Sequence, residues 1–547
     1  MSKSEFEINS MNQHSIKLKE KIGYALGDGA ANIAWRGVST FLFVFYTDVY
    51  GLDAVSVGLI MLVARSFDGV SDVAMGIIGD TYTSKYGKFR PWILWTAVPL
   101  ALSLSLLYTT PNFSDGGKLI YAYVTYILFT LVYTANNIPY GALMSVMTSD
   151  QKERISLGSF RMGGAFMGGL LVQGSLLYLV LFFGNVSPLI SIAPSASHNH
   201  HYVVDVRMQN SVESARISIS DGVGIISTSL LNHVPIESKP SLGFSAYKDS
   251  VYRFYVYGIV ELTADQLSVI NQKTGYRNSI YLLSLFLAIF MIITYLLTKE
   301  RVLPPKSQKT DIKVDLIQLM KNKPWVILLI IGFVFNVYSS IKQGIIVLYF
   351  THFLNQEIAA STYMVSLMMA SIAGVAIATP LGRRFGKKNL FISALILSGL
   401  FSIPILFLKS GDIEAIFIFG CISEFFSAMF PTLLFVMLGD VADYSEWKNS
   451  RRATGLIYSA GSLSTKFGGG VAGAVIGFVL AGFNYIGSDP ASIEGARTGM
   501  IWLMSWIPAI IAFLGALVMI FYPLGTQLME TIQIDLDKRR NELESSI

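Results

Sequence analysis

Apolar runs of about 20 residues recur along the chain, each long enough to cross a bilayer as a helix. Twelve are legible, at residues 22–47, 55–79, 92–109, 119–147, 155–184, 276–298, 324–353, 360–382, 388–408, 412–438, 454–483 and 496–523. Short polar segments separate them, with two exceptions. A basic stretch at 299–323, carrying Pro304 and Pro305, divides the first six runs from the last six. About 90 residues, Asn185 to Tyr276, are inserted between the fifth and sixth. The pattern predicts an all-α membrane protein whose segments are 1–184 (helices 1 to 5), 185–276 (insertion), 277–298 (helix 6), 299–323 (linker), 324–523 (second six-helix bundle) and 524–547 (tail).

After the second run of each half comes a short basic loop. It runs from Gly79-Asp80 to Arg90-Pro91 in the first half and from Gly382-Arg383-Arg384 to Lys387-Lys388 in the second. Equivalent loops at equivalent places predict two parallel six-helix repeats, the arrangement of a major facilitator fold. In the insertion, Ile217 and Ile219 alternate with Ser218 and Ser220, and Val251 to Val256 is rich in β-branched and aromatic residues. These are strand signals. The insertion therefore reads as a small β-rich extracytoplasmic domain, with a short helix over Thr263–Asn271; a long flexible loop is the alternative. His198, His200 and His201 lie close together, but without Cys or a spaced second cluster they do not make a metal site.

Composition agrees with the runs. The chain has 547 residues, 52% hydrophobic and only 14% charged, with mean hydropathy +0.53. Soluble domains of this size carry more charge. The polar first twenty residues show no secretory signal and place the N-terminus in the cytoplasm. With that orientation the cytoplasmic segments hold about 26 Lys and Arg, against about three on the short outer loops, so both termini are inside and the inner membrane is crossed many times. The net charge of +5 is segregated by loop and points to no nucleic-acid partner. The single Cys421 excludes an intrachain disulfide.

Nine ionisable residues fall within the runs: Asp28, Arg36, Arg65, Asp68, Asp72, Arg161, Lys342, Glu424 and Lys466. At roughly 3 kcal/mol each near a helix centre, uncompensated insertion costs on the order of 25 kcal/mol. They must pair or share a hydrated cavity; salt bridges that only fix helix register are the alternative. Arg65, Asp68 and Asp72 lie one turn apart on one helix face. Asp28, Asn32 and Arg36 follow at i, i+4 and i+8 as a second polar stripe. Thr134 and Asn137 share a face just before Pro139. Arg161 is followed by Gly163, Gly164, Gly168 and Gly169, whose small size permits close helix contact. Trp35, Phe41, Tyr126, Tyr338 and Phe430 lie on runs near these positions and can stack on a bound ligand; contact with lipid or neighbouring helices is the alternative.

The segments Tyr24 to Asp28 through Asn32, Tyr46-Thr47-Asp48-Val49, Arg65 to Asp72, Gly87-Lys88-Phe89-Arg90-Pro91-Trp92, Asn137-Ile138-Pro139-Tyr140, Asp440 to Lys448 and Lys466-Phe467-Gly468 resemble the glycoside–pentoside–hexuronide:cation symporter family, whose best-known member is melibiose permease. The similarity spans nearly the whole chain except the insertion. It implies a major facilitator fold, alternating access, and sugar uptake driven by Na⁺ or H⁺. By the resemblance, Asp68 and Asp72 are the cation-site carboxylates, Thr134 a further oxygen ligand, and Arg65 and Lys466 the basic partners. Asn32, Asn137 and Arg161 match positions that contact sugar in the melibiose branch. Asp80, Arg90, Asp440, Asp443, Arg451 and Arg452 match the salt bridges of a cytoplasmic gate; solvated loop charges are the alternative for these six.

Two carboxylates at i and i+4 can supply hard oxygens to a small cation, or share a proton. The nearby hydroxyl favours Na⁺ over H⁺. No other cofactor is expected. The melibiose branch carries acids where this chain has Asn32 and Asn137, and a Trp where it has Gly141. Arg36 and Lys342 add positive charge, giving five cations to four anions. The substrate expected is an acidic sugar, a hexuronide or short oligouronide, with its carboxylate on Arg36, Lys342 or Arg161. A lipid or lysophospholipid carrier and a membrane sensor are the alternatives. No nucleophile–base pair or phosphate loop suggests an enzyme. The expected partners are a small-molecule sugar and membrane lipid, with the protein a monomer.

Overall fold

A computed structural model describes residues 16–545 apart from 82–83, 85, 149, 195–200, 220–224, 228–240, 258, 260–261, 302–318, 450–453 and 488. The first rod, α1 (Leu18–Arg36), continues through π-helical turns Gly37–Phe41 and Phe45–Val49. A π turn frees a carbonyl, and the Tyr108 hydroxyl donates to that of Gly37 at 2.8 Å. Then come α2 (Ala54–Thr81), α3 (Arg90–Leu107), α4 (Asp115–Met147), α5 (Gln151–Gly184) and, after the insertion, α6 (Gln272–Leu297). The second half holds α7 (Lys323–Leu348, extended by the π turn Tyr349–Phe353), α8 (Glu357–Phe385) and α9 (Lys387–Ser402). The pair α10 (Ile413–Ser427) and α11 (Met429–Asn449) is broken at Ala428. After α12 (Thr454–Gly482), the pair α13 (Pro490–Met504) and α14 (Trp506–Ile520) is broken at Ser505. Among the described residues, eleven segments have the length and hydropathy of a span; α1, made more polar by its stripe of Asp28, Asn32 and Arg36, is the twelfth rod. Side chains such as Leu102, Val124, Leu285 and Leu514 are exposed and form the lipid-facing surface. The tail is itself a helix, α15 (Thr526–Ser545), which packs Met529, Ile532 and Leu536 against the second half.

The insertion is a sandwich of two four-stranded antiparallel sheets. Its strands are β1 (Asn185–Val186), β2 (Leu189–Pro194), β3 (His201–Arg207), β4 (Val212–Ile219), β5 (Ile225–Ser227), β6 (Ser241–Ala246), β7 (Val251–Tyr257) and β8 (Leu267–Asn271). The sheet orders are β1-β8-β4-β6 and β2-β3-β7-β5. Val204, Val206, Ile217, Ile219, Phe254 and Val256 fill the space between them. This alternation is what one buried face per strand requires. The expected helix over Thr263–Asn271 is not formed. Thr263 and Gln266 do make a reciprocal capping box, but it closes only the 3₁₀ turn Ala264–Gln266. Leu267–Asn271 then pairs with both β1 and β4. Of the three histidines, His198 and His200 lie outside the described residues. His201 starts β3.

One apolar core runs through the first half and into the insertion-side ends of α7, α8, α12 and α13. A separate core fills the terminus-side part of the second half. The halves are thus packed as one body toward the insertion and hold separate cores toward the termini.

Candidate functional site

The face of α2 that carries Arg65, Asp68 and Asp72 turns inward, where α12 comes close. A Cβ on Gly470 would lie 2.8 Å from that of Arg65, so only glycine permits the approach. Lys466, one turn earlier on α12, places its ammonium on Asp72 and 3.2 Å from Asp68 Oδ2. Thr134 of α4 has a single proton and two acids within reach, Asp68 Oδ1 at 2.8 Å and Asp72 Oδ1 at 3.1 Å. Ser71 donates to it at 3.2 Å. Arg65 stands 3.9 Å from Asp68 and 3.9 Å above the Trp35 ring. Asp68 Oδ2 is buried with the Lys466 ammonium 3.2 Å and the Arg65 guanidinium 3.9 Å away, neither aligned for a hydrogen bond to it. The quartet of two acids and two bases is electrically neutral.

The stripe on α1 divides. Asp28 pairs with Arg161 of α5 at 3.1 Å, and Asn32 turns back to the Asp28 carbonyl at 2.9 Å. This pairing depends on Gly164 and Gly168, where a Cβ would sit 1.9 Å from Ala25 O and 2.1 Å from Gly29 O. Gly163 meets nothing within 4 Å, and Gly169 faces Met368 and Arg36. Arg36 donates to Gln343 of α7 at 2.7 Å, while its Nε is buried without a partner among the described residues.

A cavity of about 370 Å³ lies between the halves. Its polar lining includes Asn32, Arg36, Arg65, Gln343, Ser371 and Glu424, with Trp35 and Tyr126 as aromatic walls. Glu424 accepts from Ser371 at 2.8 Å and from Ser427 at 2.9 Å. Lys342 lies in an adjoining recess that Arg36 and Glu424 also line. Its ammonium is buried and donates to Ser423 at 2.8 Å and Tyr338 at 3.2 Å. No carboxylate among the described residues lies within ion-pair distance of it. The nine ionisable residues of the spans therefore sort into a neutral quartet, a neutral pair, and a group of Arg36, Lys342 and Glu424 with net charge +1.

The sugar-contact set is not brought together whole. Asn32 and Arg36 line the cavity, Lys342 the recess, and Arg161 is engaged with Asp28. Asn137 is half-buried and outside the lining; its neighbour Asn136 is buried and donates to Thr96 at 2.8 Å. Of the aromatic candidates, Phe41 and Phe430 are core side chains, and Tyr338 supports Lys342.

Of the charges assigned to a cytoplasmic gate, Arg90 and Asp440 bind within their own halves here. Arg90 donates to Tyr295 O at 2.7 Å, and Glu300 caps the start of α3 by accepting from the N–H groups of Lys88, Phe89 and Arg90. Asp440 pairs with Lys387 at 2.6 Å. Asp443 is half-buried on α11. Asp80 ends α2 with its side chain outside the description, and Arg451 and Arg452 lie outside the described residues.

What closes the molecule is on the insertion side, and the sequence reasoning missed it. Asp48, in the second π turn of α1, pairs with His352 in the π turn of α7 at 2.6 Å and accepts from the Tyr485 hydroxyl at 2.6 Å. Gly487 packs against Asp48, where a Cβ would meet its Oδ1 at 2.6 Å. A signal existed: Phe45-Tyr46-Thr47-Asp48 and Tyr349-Phe350-Thr351-His352 end the first rods of the two repeats with matching patterns. Polar contacts between the halves form at the quartet, at Arg36–Gln343 and on this side.

A family model described as MFS/sugar transport protein matches residues 23–213 and 246–526. The inner membrane symporter YicJ of Escherichia coli is 28% identical over 97% of both chains. The glucuronide carrier protein homolog of the same organism is 24% identical, again over 97% of each. Among solved structures, the D-xylose–proton symporter superposes with a TM-score of 0.56 at 12% identity, covering 93% of this chain and 97% of its own. That likeness shows the fold.

Proposed function

Because the chain belongs to the MFS/sugar transport protein family, and within it to the glycoside–pentoside–hexuronide:cation symporters, we propose that it imports an acidic glycoside together with Na⁺, across the inner membrane, with both termini in the cytoplasm. The family is one of membrane sugar transporters, not enzymes. The observation that carries the finer reading is the net +1 group of Arg36, Lys342 and Glu424 beside the cavity. The buried Arg36 Nε lacks a partner, and Lys342 has only neutral hydroxyls. A carboxylate on the sugar supplies the missing acceptor, and a charge-assisted bond there is stronger than a neutral one. The likeness to a glucuronide carrier homolog agrees with this choice.

Asp68, Asp72 and Thr134 form the cation site in this reading. A small monovalent ion enters between the two carboxylates, meets Asp68 Oδ2, and displaces the Lys466 ammonium. Lys466 and Arg65 come from different rods, so exchanging ion for ammonium changes how tightly α12 is held to α2. A ligand shifts a conformational equilibrium only by such a difference between states. Trp35 and Tyr126 stack on the sugar. The test is counterflow in proteoliposomes with a panel of neutral and acidic sugars, with and without Na⁺. Uronides are expected to exchange, faster with Na⁺; exchange of neutral glycosides alone removes the acidic reading.

A further inference from the structure

Along β4 the core side chains are Ala215, Ile217 and Ile219, so Arg216 points out of the sandwich. A strand residue on the outward face is normally wet, yet Arg216 is only 8% exposed. The membrane body covers it. Its guanidinium donates to Glu357 Oε2 at 2.7 Å, and Glu357 is the first residue of α8, where a negative charge also complements the helix N-terminus.

The two partners belong to different halves. The sandwich is rooted only in the first: Gly184 ends α5 and leads into β1, β8 runs into α6, and β1 pairs with β8 at Asn185↔Ile270 and Val186↔Val269. Arg216 lies opposite Ile270 in the neighbouring strand, beside this stem. The stem is tightly packed, since a Cβ on Gly275 would lie 2.5 Å from Val180 O. Glu357 belongs to the second half. Arg216 is also within electrostatic reach of Tyr276 and Tyr485, which feel the charge of Asp48 as well. It therefore sits beside the Asp48–His352–Tyr485 contact.

We propose that the insertion is a working part of the transporter, contributing Arg216 as a gate residue that holds the insertion-side entrance shut through Glu357 and must release it each time the halves part on that side. This rests on the alternating-access reading above but on no particular substrate. Removing either partner leaves the other charge half-buried and unpaired, which favours the conformation open on the insertion side.

The measurement is hydrogen–deuterium exchange of the full-length protein without substrate, read at Phe45–Val49 and Tyr349–Phe353. Arg216→Met and Glu357→Gln are each expected to speed exchange there about tenfold. The double variant should do no more than either single one, because one contact is lost in all three. Arg216→Lys should restore most of the protection. Exchange in β3 and β7 reports whether the sandwich is intact, and Glu357→Gln alters no residue of the sandwich. Unchanged gate exchange with β3 and β7 still protected, or effects that multiply in the double variant, would overturn the proposal. Because no sugar is present, a wrong substrate class leaves this experiment's outcome untouched.

Discussion

In the N-terminal half the mid-membrane acids sit against bases: Asp28 against Arg161, Asp68 and Asp72 against Lys466, with Arg65 close by. In the C-terminal half Lys342 and Glu424 are held by hydroxyls, from Tyr338 and Ser423 in one case and Ser371 and Ser427 in the other. An ion pair tolerates burial because each charge neutralises the other, and removing one member strands its partner. A charge solvated by hydroxyls keeps its field and can act on a third body. The first arrangement suits exchange of one cation for another. The second leaves charge available to a bound molecule, and Arg36, though on α1, joins it by bonding Gln343.

The contrast is broken most severely by Asp72→Asn. It leaves Lys466 and Arg65 facing one acid, and uptake against a gradient should fall about a hundredfold, as removal of one partner of a buried pair implies. Initial-rate and steady-state uptake in vesicles measures this; accumulation that persists would show that the pair is structural. Next in size come Arg36→Gln and Lys342→Met, each expected to weaken a uronide about tenfold while a neutral glycoside changes less than about twofold. Competition binding with both sugars reads the split, and equal losses would assign these cations to register alone. Thr134→Val removes the shared donor of the quartet and should raise the half-saturating Na⁺ concentration about fivefold, with little change for sugar at saturating Na⁺. The smallest effect is Ser423→Ala, which costs Lys342 one of two hydroxyl partners, worth about 1 kcal/mol. Thermal unfolding should register it as a modest loss, smaller than that of Asp72→Asn.

Much of this was legible in the chain. The twelve rods follow from apolar length, the repeat from its paired basic loops, and the β-rich character of the insertion from the alternation around Ile217 and the β-branched and aromatic run Val251–Val256; the two-sheet sandwich was not legible. The quartet was legible because helical spacing puts Asp68 and Asp72 on one face. Spacing did not give the partner, since Lys466 lies 394 residues from Asp72 and no local rule connects them; the family resemblance alone assigned it to this site. Nor does a local rule connect Arg36–Gln343 or Arg216–Glu357, separated by 307 and 141 residues. The expected helix over Thr263–Asn271 reduces to the 3₁₀ turn Ala264–Gln266, closed by its capping box. Pairing of Leu267–Asn271 with two strands outweighed the helical option. The inner-gate charges were legible as charges, but Arg90 and Asp440 are engaged within their own halves.

Lys466 is a counter-ion on a tether. In the proposed cycle a carrier that has released its Na⁺ turns over with two acids balanced by two bases, so the return stroke moves no net charge through the site. Na⁺ entering with one uronide carboxylate adds no net charge to the loaded stroke either, so at one ion per sugar neither stroke is driven by the membrane voltage. A neutral sugar would leave the ion's charge uncompensated and expose the loaded stroke to about 2.3 kcal/mol per elementary charge at 100 mV.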